Sequence, residues 1–390
     1  MPRRRSNATR TTECTQNDQR DDLPCLTDVT DLLAATAELV AIPSLSRQEG
    51  QIADRVESVL RRLEGLEVVR VDDNIVARTG LGRPRRLALA GHLDTVPPKD
   101  NAAPKFAGDT LWGLGSADMK GGLAVMLVLA ARVASPSCDV TYIFYVAEEI
   151  ARSYNGLLAL AAARPDLVHA DAAIVCEPTN ATVEAGCQGV VKAEVVMRGR
   201  RAHVARPWAG RNAVHRLAPV LTAVSTWPGR EVMVDGCRYR ESLQCVGISG
   251  GVASNVVPDE AVLQLNYRFA PDRSTAEAAE SVREMLAPWT EYGDQFRVTD
   301  SAPPAPPSLD HPLLAALVGA AGGSVSGKLG WTDVAFFAER GIPAANFGPG
   351  DPELAHSPEE RVARESLERA RAVLGRLLGE WPDSARPGGR

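Results

Sequence analysis

The chain has 390 residues, 45% of them hydrophobic and 24% charged, which is typical of a folded globular protein rather than a disordered one. Lysine and arginine total 43 against 49 aspartate and glutamate residues, and the net charge of -6 argues against a nucleic-acid backbone or an anionic membrane as a partner. The longest uncharged apolar stretch, 121–131, is too short for a membrane span, which needs about 20 residues.

The N-terminal segment differs from the rest of the chain. Its first 25 residues are rich in arginine and polar side chains and lack the apolar core of a secretory signal. We therefore expect a disordered tail over 1–26 and a cytoplasmic location. The 7 cysteines form no C-x-x-C pair, so free thiols are expected rather than a thiolate metal site.

The next part of the chain alternates helical and strand patterns. Apolar residues at helical spacing predict two helices between 27 and 65, the second opened by a capping box of Ser46 and Glu49. Alternating strands and helices are typical of a largely parallel α/β sheet. The sequence predicts buried strands at 87–90, 140–147 and 172–176, and helices at 121–133 and 155–163.

The pattern changes at about residue 190, where apolar and polar residues begin to alternate as in a half-exposed strand. The predicted order from there is strand, helix, strand, strand, helix, strand, which is the split β-α-β arrangement of ferredoxin-like domains. The proline-rich segment 302–307 marks its end. We therefore expect a catalytic α/β domain formed by 27–189 and 301–385, interrupted by an inserted α+β lid domain at 190–300.

Residues that can bind a metal follow each of the three buried strands. His92 and Asp94 follow the first strand, Glu148 and Glu149 the second, and Glu177 the third. Ligands collect at the carboxyl ends of strands in such sheets. Nitrogen and oxygen donors together suit zinc or another borderline divalent ion, and the surplus of carboxylates suits two bridged ions. The candidate cluster consists of His92, Asp94, Asp118, Glu148, Glu149, Glu177 and His356.

The candidate residues lie in five sequence blocks, which are GHLDTVP (91–97), GSADMKGG (115–122), AEEI (147–150), CEPT (176–179) and GPGDPELAHSPEE (348–360). These blocks resemble those of the co-catalytic zinc deacylase and peptidase family. That family includes acetylornithine deacetylases, succinyl-diaminopimelate desuccinylases, aminoacylases and glutamate carboxypeptidases. Its fold is a catalytic α/β domain interrupted by a dimerising split β-α-β lid, which matches the predicted organisation of this chain.

The resemblance implies two Zn²⁺ ions per chain, for which Co²⁺ can substitute. Asp118 would bridge the two ions, with His92 and Glu177 on one ion and Glu149 and His356 on the other.

The resemblance also implies the roles of the remaining catalytic residues. Glu148 is the expected general base, which takes a proton from the attacking water and returns it to the leaving amine. Asp94 would be the partner of the metal ligand His92. A homodimer is expected, with His203 of the lid reaching across it to stabilise the oxyanion.

Other stretches, among them EAGCQG (184–189) and GGVASNVVPD (250–259), resemble the actinobacterial succinyl-diaminopimelate desuccinylases. The implied substrate is a small N-acyl amino acid. The implied reaction hydrolyses N-succinyl-LL-2,6-diaminopimelate to succinate and LL-2,6-diaminopimelate, a precursor of lysine and peptidoglycan. Residues that match substrate-binding positions are Asn255, Arg268, Thr332 and Gly350.

Two alternatives remain open at this point. The stretch 151–154 reads Ala-Arg-Ser-Tyr where the subfamily carries acidic residues, so a related deacylase for another N-acyl amino acid is the first alternative. Its substrate would be acetylornithine-like or belong to a specialised pathway. The second alternative is a non-catalytic binding homologue. The presence of both Glu148 and Glu149 argues against it, because a binding module needs no general base.

Overall fold

Nine α-helices and seventeen strands lie within residues 31–379, the part of the chain that the computed structural model describes. The predicted tail at 1–26 and residues 27–30 and 380–385 of the predicted catalytic range fall outside it. The helices are α1 (Leu32–Val40), α2 (Gly50–Leu60), α3 (Gly121–Arg132), α4 (Gly156–Ala163), α5 (Ala213–Ser225), α6 (Thr275–Leu286), α7 (Pro312–Ala320), α8 (Val334–Ala338) and α9 (Arg364–Leu378).

The strands form four sheets within the same residues. They are β1 (Leu66–Val71), β2 (Asn74–Thr79), β3 (Arg86–His92), β4 (Lys105–Ala107), β5 (Thr110–Trp112), β6 (Asp139–Tyr145), β7 (Ala172–Val175), β8 (Val183–Ala185), β9 (Gly189–Arg198), β10 (Glu231–Val234), β11 (Cys237–Arg240), β12 (Ser242–Gly250), β13 (Glu260–Phe269), β14 (Gln295–Ala302), β15 (Val325–Gly327), β16 (Ala344–Asn346) and β17 (Arg361–Ala363).

The main sheet has eight strands in the order β1-β2-β6-β3-β7-β16-β8-β15. Its centre is parallel, because β6, β3, β7 and β16 all run in the same direction. Every residue of β6 and β7 is buried, which explains why these strands are almost continuously apolar in sequence. The strands predicted at 87–90, 140–147 and 172–176 correspond to β3, β6 and β7.

Helices cover both faces of the main sheet. On one face α1 and α9 pack against α3, whose residues 121–129 are all buried. On the other face α4 and α8 contribute to a separate apolar cluster. A helix that is apolar all round is stable only in such an interior position. Between residues 31 and 379, no helix has the combined length and apolarity to span a bilayer.

The second large sheet is antiparallel, in the order β12-β13-β9-β14. Helices α5 and α6 pack on it and share an apolar core with its strands. The chain order β9-α5-β12-β13-α6-β14 is the predicted split β-α-β arrangement. The predicted fold class is confirmed: an α/β unit with a largely parallel sheet is interrupted by an α+β insertion. The domain boundaries at 190 and 300 stay a prediction.

A hairpin of β10 and β11 was missed by the sequence analysis. The hydroxyl of Tyr239 donates a hydrogen bond to the carbonyl oxygen of Ala185 at 2.6 Å, and Tyr239 is fully buried. The hairpin therefore packs against β8 of the main sheet, although it lies within the inserted segment. The pair Asp235–Gly236, with both φ angles positive, forms its turn and was the available sequence signal.

The predicted capping box of α2 is wrong. Glu49 precedes α2 but makes no side-chain cap, and its carboxylate instead accepts the N–H of Ala147 at 3.0 Å. The hydroxyl of Ser46 donates to Asp94 Oδ2 at 2.7 Å. The two side chains thus hold the loops that follow β6 and β3. These tertiary contacts take the place of a local cap on α2.

Candidate active site

The carboxyl ends of the central strands meet at one edge of the main sheet. His92 is the last residue of β3, Glu149 follows β6, and Glu177 follows β7. Asp118 lies just before α3, and His356 lies in the loop after β16. A cavity of about 300 Å³ opens at this edge, and its lining includes Asp118, Glu148, Glu149, Glu177 and His356.

Asp118 lies between the two histidines. Its Oδ1 is 3.2 Å from Nε2 of His92, and its Oδ2 is 3.4 Å from Nε2 of His356. His356 Nε2 is also 2.8 Å from Oε1 of Glu149. The potential ligand atoms of His92, Asp118 and Glu177 lie within 4.8 Å of one another, as do those of Asp118, Glu149 and His356. The structure thus brings the predicted ligands together in two groups that share Asp118.

The chemistry of these groups fits two divalent cations. Imidazole nitrogen and carboxylate oxygen are donors that suit zinc. Burial raises the pKa of Glu177 to about 8, and the neighbouring charge of Asp118 adds to this effect. Carboxylates crowded together away from water are costly unless positive charge balances them. Two bound cations would supply that charge.

Asp94 orients the groups around it. Nδ1 of His92 lies 3.0 Å from the carbonyl oxygen of Asp94, so a proton on Nδ1 leaves Nε2 free to bind a metal. The carboxylate of Asp94 accepts the backbone N–H groups of Glu148 at 3.0 Å and Glu149 at 3.1 Å. Burial opposes ionisation of Asp94, but hydrogen bonds from His92 and Ser46 hold its pKa below the ordinary value. Asp94 therefore joins the ends of β3 and β6.

Glu148 points into the cavity beside these groups. Burial raises its pKa well above the ordinary value; the positive charge of His92 opposes this, and the charge of Glu177 adds to it. A carboxyl group with a raised pKa holds a proton more readily, which favours taking one from water and passing it on. This environment suits the general-base role predicted for Glu148.

Among the predicted lid residues, the structure brings Arg268 into this cavity. Arg268 of β13 lies on the wall that the cavity shares with a larger one of about 760 Å³. Within residues 31–379 its guanidinium makes no hydrogen bond or ion pair, so it is available to a ligand. Burial lowers the pKa of Arg268, and the charge of Glu148 raises it.

His203 and Asn255 lie elsewhere in the inserted segment. Both are exposed, and neither lines the catalytic cavity. Their backbones are neighbours, because the N–H of Val204 donates to the carbonyl of Asn255 at 3.2 Å. Their roles stay predictions.

Thr332 and Gly350 are buried and do not line the cavity. The Thr332 hydroxyl donates to Oδ1 of Asn346 at 2.7 Å. Gly350 has a φ of +88°, and a Cβ there would lie 2.8 Å from the Cβ of Ala117. Both residues pack beside the site, and their substrate roles stay predictions.

Two residues that support the site were not predicted from the sequence. Oε1 of Glu360 accepts the N–H groups of Ala117 and Asp118, each at 3.0 Å, and so holds the loop of the bridging carboxylate. Nζ of Lys328 donates to the carbonyl of Pro178 at 3.2 Å, directly after Glu177. Glu360 lies within the block 348–360, which was a usable signal. No sequence signal marked Lys328, since its contact with Pro178 depends on the fold.

The sequence profile of peptidase family M20/M25/M40 matches residues 88–380. The chain belongs to this family. A Mycobacterium tuberculosis protein named as a succinyl-diaminopimelate desuccinylase is 48% identical over 350 residues, covering 90% of this chain and 98% of that protein. The succinyl-diaminopimelate desuccinylase of Corynebacterium glutamicum is 43% identical over 356 residues, covering 90% of this chain and 96% of its own length. The resemblance identified from the sequence blocks is confirmed.

Solved structures of the family share the fold. The aminopeptidase PepT of Bacillus cereus has a TM-score of 0.73 at 20% identity and covers 90% of this chain and 98% of its own. The YXEP protein of Bacillus subtilis, a dinuclear metal-binding peptidase of family M20, has a TM-score of 0.63 at 20% identity and covers 89% and 96%. Membership of this family makes the chain a metal-dependent amide hydrolase.

Proposed function

We propose that the protein removes succinate from N-succinyl-LL-2,6-diaminopimelate, giving LL-2,6-diaminopimelate for the synthesis of lysine and peptidoglycan. The observation that carries the proposal is the pair of potential ligand groups sharing Asp118, with Glu148 beside them in one cavity. The names of the relatives at 48% and 43% identity support the choice of substrate.

We propose two Zn²⁺ ions for the site, with Co²⁺ as a substitute. His92 and Glu177 would hold one ion, Glu149 and His356 the other, and Asp118 would contact both. When bound, zinc polarises a carbonyl group and lowers the pKa of bound water toward about 7. The Bacillus subtilis neighbour is named as a dinuclear metal-binding protein, which supports a count of two.

The chain's own residues then handle the proton and the substrate. Glu148 takes a proton from the attacking water and passes it to the nitrogen of the leaving amine as the amide bond breaks. Asp94 keeps Glu148 in place by accepting its backbone N–H and fixes the orientation of His92. Arg268 offers an unpaired guanidinium, which binds carboxylates in a planar, two-pronged geometry.

We also propose a homodimer through the inserted domain at 190–300, in which His203 and Asn255 reach the cavity of the partner chain. Strand β12 lies at an edge of its sheet, and it exposes Val246 and Ile248 at 63% and 55%. An exposed apolar edge strand is a template for pairing with a second copy. The cytoplasmic location stays a prediction from the sequence.

The test is a comparison of substrates with purified zinc-loaded enzyme. We expect kcat/KM for N-succinyl-LL-diaminopimelate to exceed that for N-acetylornithine by orders of magnitude, because the acetyl compound leaves donors without a charged partner. Arg268→Ala should reduce turnover of the preferred substrate and leave the metal content unchanged. Comparable kcat/KM for the two substrates would instead favour the related-deacylase alternative. No hydrolysis of N-succinyl, N-acetyl or dipeptide substrates at full metal content would favour the binding homologue.

A further inference from the structure

Both acidic and basic side chains line the catalytic cavity. Three of them are cationic, Arg152, Lys192 and Arg268, and Asp300, which pairs with Lys192 at 2.8 Å, lines the cavity as well. Arg152 lies in the short turn directly after Glu149, on the wall formed by the main sheet, whereas the other two come from the inserted sheet. The mechanism above gives no role to Arg152.

The guanidinium of Arg152 is held by a replaceable partner. It pairs with the carboxylate of Glu339, which follows α8. The two side chains keep 26% and 37% of their surface exposed. An ion pair open to solvent is weak, because water and salt screen it. A ligand carboxylate can therefore take the place of Glu339 at little cost.

The position of Arg152 suits one end of a substrate. Arg152 is three residues from Glu149, so its backbone lies within about 10 Å of the metal-binding segment. A scissile amide beside Glu148 then leaves remote groups of the substrate within reach of the cationic side chains that line the cavity. A guanidinium binds a carboxylate through two parallel hydrogen bonds.

We propose that Arg152 is a specificity-determining residue that binds a substrate carboxylate remote from the scissile amide, and that Glu339 occupies the guanidinium when no substrate is bound. The inference rests on the proposed function, since it requires an N-acyl amino acid with such a carboxylate. N-succinyl-LL-diaminopimelate has two, one at the end of the acyl group and one at the far end of the amino acid. Arg152 binds one of these two.

Three substrates distinguish the two carboxylates. They are N-succinyl-LL-diaminopimelate, its succinamoyl analogue with an amide at the end of the acyl group, and N2-succinyl-L-lysine, which lacks the far carboxylate. Arg152→Met should lower kcat/KM for the full substrate about tenfold or more, mainly through KM, as the loss of a charged hydrogen-bond partner does. With the analogue that lacks the carboxylate bound by Arg152, the same substitution should cost less than about twofold.

Glu339→Gln should change KM in the direction opposite to Arg152→Met. Removing the competing carboxylate should lower KM for the full substrate, whereas a purely structural ion pair would suffer from the loss of either partner. Arg164→Met is the matched control, because Arg164 pairs with Asp166 outside the cavity and should leave all three substrates unaffected.

Two results would overturn the inference. One is an equal loss of kcat/KM for all three substrates in Arg152→Met. The other is an unchanged or raised KM in Glu339→Gln, a variant that keeps the test valid if Arg152→Met fails to fold. Failure of the proposed function is distinguishable, since the parent enzyme itself would then leave N-succinyl-LL-diaminopimelate intact.

Discussion

The edge of the main sheet and the inserted domain contribute to the site in different ways. At the sheet edge, residues from distant parts of one chain meet, and Asp118 lies within 3.4 Å of both His92 and His356. In the inserted domain, His203 and Asn255 are exposed and lie outside the cavity. Parallel strands of one chain bring their carboxyl ends together at one edge of the sheet. The lid residues, in our proposal, reach a catalytic cavity only in a second chain.

The two regions also differ in electrostatics. Burial raises the pKa values of Glu148 and Glu177 at the sheet edge, where the carboxylates lack enough positive partners. Burial acts in the same direction on Asp294 of the inserted domain, but Arg216, at 2.7 Å, holds the pKa of Asp294 below its ordinary value. The inserted domain balances its own buried charge, and the catalytic edge depends on bound cations.

The largest effect is expected for the proton-transfer residue. Glu148→Gln should lower kcat by about 10³-fold or more, because the amide cannot accept a proton from water. Metal content, measured by elemental analysis, should stay at the parent value. Near-normal turnover at that metal content would show that another group acts as the base.

Removing one ligand should separate the two metal positions. His356→Ala should retain only one tightly bound ion per chain and lose at least about 10²-fold in kcat/KM. His169→Ala, which changes an exposed histidine outside the site, is the control and should keep both ions. Two tightly held ions in His356→Ala would contradict the ligand assignment.

Mixing two variants tests whether one active site is completed by a residue of the partner chain. His203→Ala and Glu148→Gln should each be nearly inactive alone, whereas mixed dimers contain one site with both groups intact. With random exchange, half the dimers are mixed, so activity should recover to about a quarter of the parent value. Absence of recovery after demonstrated subunit exchange would place His203 outside the partner's site.

Chelation should expose the unbalanced charge of the catalytic edge. The folded-state pKa of Glu177, about 8, lies above its unfolded value, so the metal-free folded state binds more protons between those two values. Its free energy of unfolding should therefore fall by on the order of 3 to 4 kcal/mol between pH 5 and pH 8. Denaturant titrations with chelator should show this fall, and metal-loaded protein should not. A flat profile for the chelated protein would argue against the charge imbalance.

The smallest change in kcat/KM is expected for Ser46, at the edge of the hydrogen-bond network around Asp94. Ser46→Ala removes the hydroxyl that donates to Asp94 and should lower kcat/KM about tenfold, because the Asp94 carboxylate is held less firmly. Ser58→Ala, on α2, is the matched control and should behave like the parent. Equal activity of both variants would show that Asp94 is held well enough by its backbone donors.

The sequence predicted the parts of the site that depend on strand order. His92, Glu149 and Glu177 follow buried strands, and the pattern alone indicated that they meet. Asp118 and His356 do not end strands of this kind. They were in the candidate cluster, but only the family resemblance assigned them to particular ions. The split β-α-β insertion was predictable because its strands and helices keep their own periodicities.

Other features could not be predicted from local pattern. Ser46 and Glu49 match a capping box, but Ser46 bonds to Asp94, which lies 48 residues away in the chain. The burial of Tyr239 against Ala185 likewise depends on how the hairpin meets the main sheet. Local signals fail where a tertiary partner satisfies the same polar group at lower free energy.

The most direct test of the paired metal site is an anomalous difference map, recorded at the zinc edge from crystals of the zinc-loaded protein. Our account predicts two peaks that share Asp118, one also contacted by His92 and Glu177 and the other by Glu149 and His356. A single peak, or a second peak away from Asp118, would contradict it.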